Sequence, residues 1–168
     1  PGVKENAGIF CHNNAWIHLA LCLLGQGDRA LEYYLSICPA AKEDRIETYR
    51  CEPYVYAQMI AGRDAVCAGE AKNSWLTGTA AWTLVAVTQG ILGLQPDYEG
   101  LRIDPCIARA WSSFEAVRRF RGAEYHVVVR NPKGVCRGVS RMKVNGRTVA
   151  GNIVPPAKAG RVEVEVTL

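Results

Sequence analysis

The stretch Trp75-Leu76-Thr77-Gly78-Thr79 closes an irregular polar segment and opens the most apolar helix expected in the chain, running to about Ile91. The first N–H groups of a helix have no intrahelical partner and stand at the positive end of its dipole. Two hydroxyls and a glycine placed there suit an oxyanion such as phosphate. The same residues also serve as an ordinary cap. His12, in Cys11-His12-Asn13-Asn14, stands where an irregular segment meets the first helix, Glu5 lies in the loop before it, and Gln58 is expected on a third helix one turn after Tyr54. Each has a plain structural role open to it: a loop glutamate is solvated, a histidine at a helix start caps it, and a helical glutamine faces water. Jointly they say more. All sit at or near loop-to-helix junctions, as when helix ends converge around a pocket in an all-helical barrel, and Gly8 and Gly78 would let backbone approach a ligand closely.

The elements that must position these residues follow from periodicity. Trp16, Leu19, Ala20, Leu23 and Leu24 recur at the spacing of one helical face, and Gly25 and Gly27 stop that helix. Asp28 suits the N-cap of a second helix carrying Leu31, Tyr34, Leu35 and Cys38, which Pro39 ends. After a mixed segment from Ala40 to Arg50, Pro53 suits the first turn of a third helix through about Ala61. A loop from Gly62 to Ser74 leads to the fourth helix, which packs Ala81, Trp82, Val85 and Ala86. After Gly93 the period becomes alternating and turn residues arrive every few positions. Glu124 to Val129 is a strand candidate, Asn145-Gly146 sits between two β-forming runs as in a hairpin, and Arg161 to Leu168 alternates apolar with polar residues. Helices first and strands second suggest two structural units with a boundary near residues 95 to 100.

Composition narrows the class. Apolar residues make up 49% of 168, a normal share for a folded globular chain, and no run is long enough for a membrane span. The start Pro1-Gly2-Val3 has no initiator Met and no signal-peptide core, so the chain reads as a piece of something longer. The net charge of +4 is mild, and Arg118-Arg119-Phe120-Arg121 is too short a basic cluster to argue for nucleic acid; a solvated strand edge explains it. Seven cysteines, an odd number without metal-ligand spacing, read as free thiols of a reducing compartment. Cys11 beside His12 makes a poor nucleophile–base pair, since sequence neighbours rarely face each other. Neither a P-loop nor a dinucleotide fingerprint is present.

Four strings carry a family resemblance: Lys4-Glu5-Asn6-Ala7-Gly8-Ile9-Phe10-Cys11-His12-Asn13-Asn14, Glu52-Pro53-Tyr54-Val55-Tyr56-Ala57-Gln58, Asn73-Ser74-Trp75-Leu76-Thr77-Gly78-Thr79-Ala80-Ala81-Trp82, and Ile91-Leu92-Gly93-Leu94-Gln95-Pro96-Asp97-Tyr98-Glu99-Gly100-Leu101. They resemble the C-terminal part of the cellobiose phosphorylases of glycoside hydrolase family 94, and the likeness extends through Arg102 to Ile107 and Phe120 to Gly122. It implies the C-terminal part of an (α/α)6 barrel over residues 1–95 and a small antiparallel, jelly-roll-like β-sandwich over residues 96–168. It also implies inverting phosphorolysis, in which phosphate attacks the anomeric carbon of a β-linked disaccharide and gives α-glucose 1-phosphate and glucose from cellobiose. Cellodextrin, laminaribiose and chitobiose phosphorylases share much of the pattern, as does the transferase portion of a cyclic glucan synthase. By the resemblance His12, Thr77 and Gly78 hold phosphate, while Glu5, Asn13 and Gln58 serve the sugar. The general-acid aspartate and the phosphate-binding arginines lie upstream, so no catalytic residue is expected in this chain, which is inactive alone; loop and capping roles explain Asp28, Asp44, Asp64 and Asp97. No cofactor and no metal are expected, phosphate being a substrate. The partners expected are the remainder of its own barrel and a second copy in a cytoplasmic homodimer, with no nucleic acid and no membrane. A reading from another class, a non-catalytic carbohydrate-binding module, would need an exposed aromatic row; Trp111, Phe114, Phe120 and Tyr125 are not evenly spaced.

Overall fold

A computed structural model describes residues 1–168, a mixed α/β chain with four α-helices and three sheets. It divides into two compact units, one of residues 1–20 and 31–86, the other of residues 21–30 and 87–168.

In the first unit, β1 (Ile9–Phe10), β2 (Met59–Ile60) and β3 (Ala71–Lys72) form a small antiparallel sheet in the order β1-β2-β3. α1 (Cys11–Leu23) follows β1 without a break, and α2 (Gly27–Ile37) ends just before Pro39, which starts a 3-10 helix (Pro39–Arg45) leading into α3 (Ile46–Tyr49). The core gathers Cys11, Ile37, Tyr49, Cys51, Val55 and Ile60, with Ala71 packed against it. α4 (Thr79–Val85) continues as a π-helix (Ala86–Ile91), so the expected long fourth helix is present with a widened second half.

The third helix expected from Pro53 to Ala61 does not form. Glu52 to Val55 makes a turn closed by Val55 N to Glu52 O at 3.0 Å, and the chain then extends into β2. The reason is legible in the burial: Val55, Ala57 and Met59 are buried while Tyr56 and Gln58 are half-buried, a period of two that fits a strand and not a helix. The phase of α1 also differs from expectation. Cys11, Ala15, His18, Leu21 and Cys22 are buried, whereas Trp16, Leu23 and Leu24, taken from the sequence as the packing stripe, are exposed. In α4 Thr79 and Thr83 are buried while Ala81 and Trp82 are exposed; of the expected packing set, Ala86, just past the helix, is buried and Val85 half-buried.

In the second unit, β4 (Leu94–Pro96), β5 (Leu101–Ile103) and β10 (Ile153–Val154) form one sheet in the order β10-β5-β4. β6 (Ser113–Phe120), β7 (Ala123–Arg130), β8 (Arg141–Val144), β9 (Arg147–Val149) and β11 (Gly160–Thr167) form another in the order β6-β7-β11-β8-β9. Alternation buries Tyr125, Val127 and Val129 of β7 and Val162, Val164 and Val166 of β11. One pair departs from the antiparallel expectation: β7 and β11 run parallel over eight residue pairs, because β8 to β10 intervene and return the chain to the same end. The Asn145-Gly146 hairpin is as expected, with φ of 47° and 77°, and Arg121-Gly122 turns the β6–β7 hairpin in the same way, at 49° and 89°. The basic cluster therefore lies on edge strand β6 and its turn.

Candidate functional site

The small sheet of the first unit ties the start of α1 and the start of α4 to the segment around Gln58. Cys11 N donates to Gln58 O at 2.8 Å, tying the start of α1 to the residue just before β2. Gln58 N donates across to Lys72 O at 3.2 Å, and its side-chain Oε1 accepts from Asn73 Nδ2 at 2.8 Å. Thr79 Oγ1, fully buried at the start of α4, donates to Ala57 O at 3.0 Å. Residues far apart in sequence, at positions 11, 58, 73 and 79, are thus stitched by backbone groups, which have to be paired when buried.

The two helix starts also meet one turn further on. The His12 ring lies 6.1 Å from that of Trp16 and meets Phe10 edge-on at 5.1 Å. Trp16 packs edge-on against Trp82 at 5.6 Å, and Trp82 N closes the first turn of α4 on Gly78 O at 3.0 Å. His12 is half-buried, Asn13 exposed, and Asn14 satisfies Phe10 O through its side chain at 3.0 Å. Glu5 sits exposed in the Lys4-Glu5 turn before β1.

At the opening stretch, Thr77 is the cap. Its Oγ1 accepts from Thr79 N at 3.0 Å and lies 2.7 Å from Thr79 Oγ1. Since the one proton of Thr79 goes to Ala57 O, Thr77 donates in that contact. To serve an anion as donor, the Thr77 hydroxyl must rotate away from Thr79. The ladder of α4 begins at Trp82, so the N–H groups of Ala80 and Ala81 precede it and stand on its exposed side. Gly78 has ordinary helical φ and ψ of −75° and −3°, and a Cβ there would meet nothing nearer than Trp82 Cδ1 at 3.8 Å. Nothing within the chain requires glycine at this position; an object outside it, approaching the backbone closely, would.

The titratable groups explain which residues are not candidates. Burial pushes the Cys11 thiol up to about 12, so it stays protonated beside His12 and is no nucleophile. Asp28 accepts from Arg109 N at 2.8 Å and Nε at 2.6 Å, Asp97 from Glu99 N and Arg102, and Asp44 from Arg45, each held below the usual carboxylate range by those hydrogen bonds. Asp64 pairs with Arg63 at 3.8 Å. Carboxyl groups held ionised in this way, as Asp28, Asp44 and Asp97 are, cannot deliver a proton as general acids near neutrality. Asp28 is thus an ion-pair partner more than a cap. No three His, Cys, Asp or Glu side chains gather closely enough to hold a metal ion, and no helix is long and apolar enough to cross a membrane.

The structure adds residues that sequence reasoning passed over. Trp75 Nε1 donates to Glu52 Oε1 at 3.2 Å, and Tyr54 meets the Trp75 ring edge-on at 6.5 Å. Their signal is the pair of aromatics flanking Gln58 and Thr77, which a helix from Pro53 to Ala61 would not have brought together.

Residues 1–93 match the family described as the glycosyl hydrolase 94 superfamily, catalytic domain. The chain is 48% identical over 164 residues to an N,N'-diacetylchitobiose phosphorylase of Vibrio furnissii, covering 97% of this chain and 20% of that protein. It is 46% identical over 167 residues to an enzyme of the same name from Vibrio proteolyticus, covering 99% and 21%. It is 36% identical over 155 residues to a solabiose phosphorylase of Paenibacillus borealis, covering 92% and 20%. The chain spans about a fifth of the length of these curated relatives.

Proposed function

Since this chain belongs to the glycosyl hydrolase 94 superfamily, we propose that it is the C-terminal part of an inverting glycoside phosphorylase. Residues 1–95 would complete an (α/α)6 barrel and residues 96–168 would form a β-sandwich. Phosphate attacks the anomeric carbon of a β-linked disaccharide while a carboxylic acid from another part of the protein protonates the leaving oxygen. A phosphorylase needs no second carboxylate, because phosphate is already a nucleophile and no water has to be activated. The products are an α-sugar 1-phosphate and a free sugar.

The observation that carries this reading is the stitching of the α1 start, the segment around Gln58 and the Thr77–Thr79 turn to one small sheet. His12, Thr77 and the backbone at Gly78 would hold the phosphate, since a dianion is best met by charge-assisted and backbone donors at a helix start. Glu5, Asn13 and Gln58 would meet sugar hydroxyls, Gln58 with its carboxamide already oriented by Asn73. The exposed rings and aliphatic chains of Trp16, Ile17 and Trp82 would be covered by the remainder of the barrel.

For the disaccharide, the two Vibrio relatives favour N,N'-diacetylchitobiose over the cellobiose expected from the resemblance. The full-length enzyme, incubated with phosphate and a panel of β-linked disaccharides, is expected to release a sugar 1-phosphate from one of these two in preference to the others. No phosphate-dependent release from any member of the panel refutes the phosphorylase reading.

A further inference from the structure

The geometry around Trp75 points to a pyranose-stacking subsite built from Tyr54 and Trp75 and braced by Glu52, a place for one ring of the disaccharide; it rests on the phosphorylase reading above. Four observations converge on it. Tyr54 and Trp75 are 74% and 68% exposed, a costly state for two large rings in contact with each other. Trp75 has a left-handed φ of 69°, a conformation that bulky residues avoid and that the surroundings have to enforce, beside Asn73 at 53°, which asparagine adopts readily. The enforcing contacts are polar: Glu52 Oε1 takes the indole N–H of Trp75, and Gln58 Oε1 takes the Asn73 amide. Finally, Trp75 is two residues from Thr77, so the rings stand beside the proposed phosphate position.

The chemistry selects the occupant. The C–H face of a pyranose stacks on an aromatic ring, while its equatorial hydroxyls need acceptors and donors at the ring edge, which Glu52, Asn73 and Gln58 supply. Hydrogen bonds from its own backbone N–H and from the Trp75 indole hold the Glu52 carboxyl below the usual carboxylate range, so it carries a negative charge near neutrality. A fixed negative charge beside the rings disfavours an anion, so this subsite takes an uncharged sugar ring and the phosphate stays at His12 and the α4 start. The left-handed backbone at Trp75, held by the Glu52 hydrogen bond, keeps the indole face outward for a ligand.

The test uses the full-length enzyme with Tyr54→Ala, Tyr54→Phe and Trp75→Gly, the last of which also relieves the left-handed φ. Initial rates are measured with disaccharide varied at saturating phosphate, and the reverse. The expected result is a disaccharide KM raised about tenfold or more by Tyr54→Ala and Trp75→Gly, the scale of one lost aromatic contact, with phosphate KM held within about twofold and with recovery in Tyr54→Phe. Disaccharide KM unchanged while the melting temperature falls would assign the rings to packing against the rest of the protein and overturn the subsite. A parallel rise of both KM values would overturn it too. Should the unmodified enzyme show no phosphorolysis, calorimetric titration with N,N'-diacetylchitobiose and cellobiose decides the subsite separately: binding weakened in Tyr54→Ala supports it, and equal or undetectable binding to both proteins overturns it.

Discussion

Gly78→Ala is expected to raise the phosphate requirement of the full-length enzyme and to leave its fold intact. The structural cost can be worked from the backbone. With φ −75° and ψ −3°, Gly78 is already where any L-residue can sit, and the added methyl meets only Trp82 Cδ1 at 3.8 Å, an ordinary van der Waals distance. Alanine narrows the unfolded ensemble and so stabilises by about 0.4–1 kcal/mol. The capping hydroxyl belongs to Thr77 and is untouched, so the melting temperature should rise by no more than a few degrees. The phosphate effect runs the other way. The new carbon would occupy the space through which an oxyanion reaches the first N–H groups of α4. Loss of one well-placed donor to a developing or bound oxyanion costs about 10²–10³-fold, which bounds the effect from above, and partial displacement should give roughly tenfold. The assay is initial rate against phosphate at saturating disaccharide, then against disaccharide at saturating phosphate. A phosphate KM within twofold of the unmodified enzyme, in a protein of unchanged melting temperature, would refute the reasoning: the anion would not bind at this helix start.

Two further predictions test neighbouring groups. His12→Ala should raise the phosphate KM by about tenfold or more while changing the disaccharide KM far less, since one charge-assisted donor to the anion is lost; equal effects on both would remove His12 from the phosphate site. His18, fully buried on α1, has its pKa lowered from 6.5 by burial, which outweighs a raising backbone contact with Tyr33. A lowered pKa means that the unfolded chain binds the proton more readily. The contribution of the neutral ring to stability is therefore complete above about pH 6.5 and is lost as pH falls below it, by at most about 1.4 kcal/mol per pH unit. Denaturant titrations between pH 5 and 7.5 should show that His18→Leu flattens this acid limb, and parallel limbs in the two proteins would contradict it.

How much of this could be seen in the sequence depends on which residues one asks about. Helix α2, the Asn145-Gly146 hairpin and strand β11 follow from local chemistry, because a proline stop, a left-handed turn pair and strict alternation act within a few residues. The segment from Glu52 to Met59 does not. Pro53 and the spacing of Tyr54 to Gln58 satisfy a helix template, and what overrides it is tertiary: Cys11, Lys72 and Thr79 supply partners for the backbone of residues 57 and 58, which a helix would have paired internally. The candidacy of Gln58 does not depend on its element. Its carboxamide is oriented by Asn73 at the residue just before β2, not by one turn of helix after Tyr54.

The phase of α1 teaches the more general point. Its sequence carries two apolar faces, one with Cys11, Ala15, Leu21 and Cys22 and the other with Trp16, Leu23 and Leu24, and periodicity alone favours the larger side chains. The chain buries the first set, together with His18, while the second stays open with Trp16 against Trp82. A helix with apolar residues on both faces is what the inner layer of a double-layered barrel requires, since it must pack on one side against its own neighbours and on the other against elements beyond them. The exposed face of α1 is thus an argument, made from burial alone, for the proposal that the first unit completes a larger helical barrel. It also explains why the candidate phosphate residues stand at its edge: His12 and Gly78 each begin the helix whose outward tryptophan, one turn later, makes that shared face.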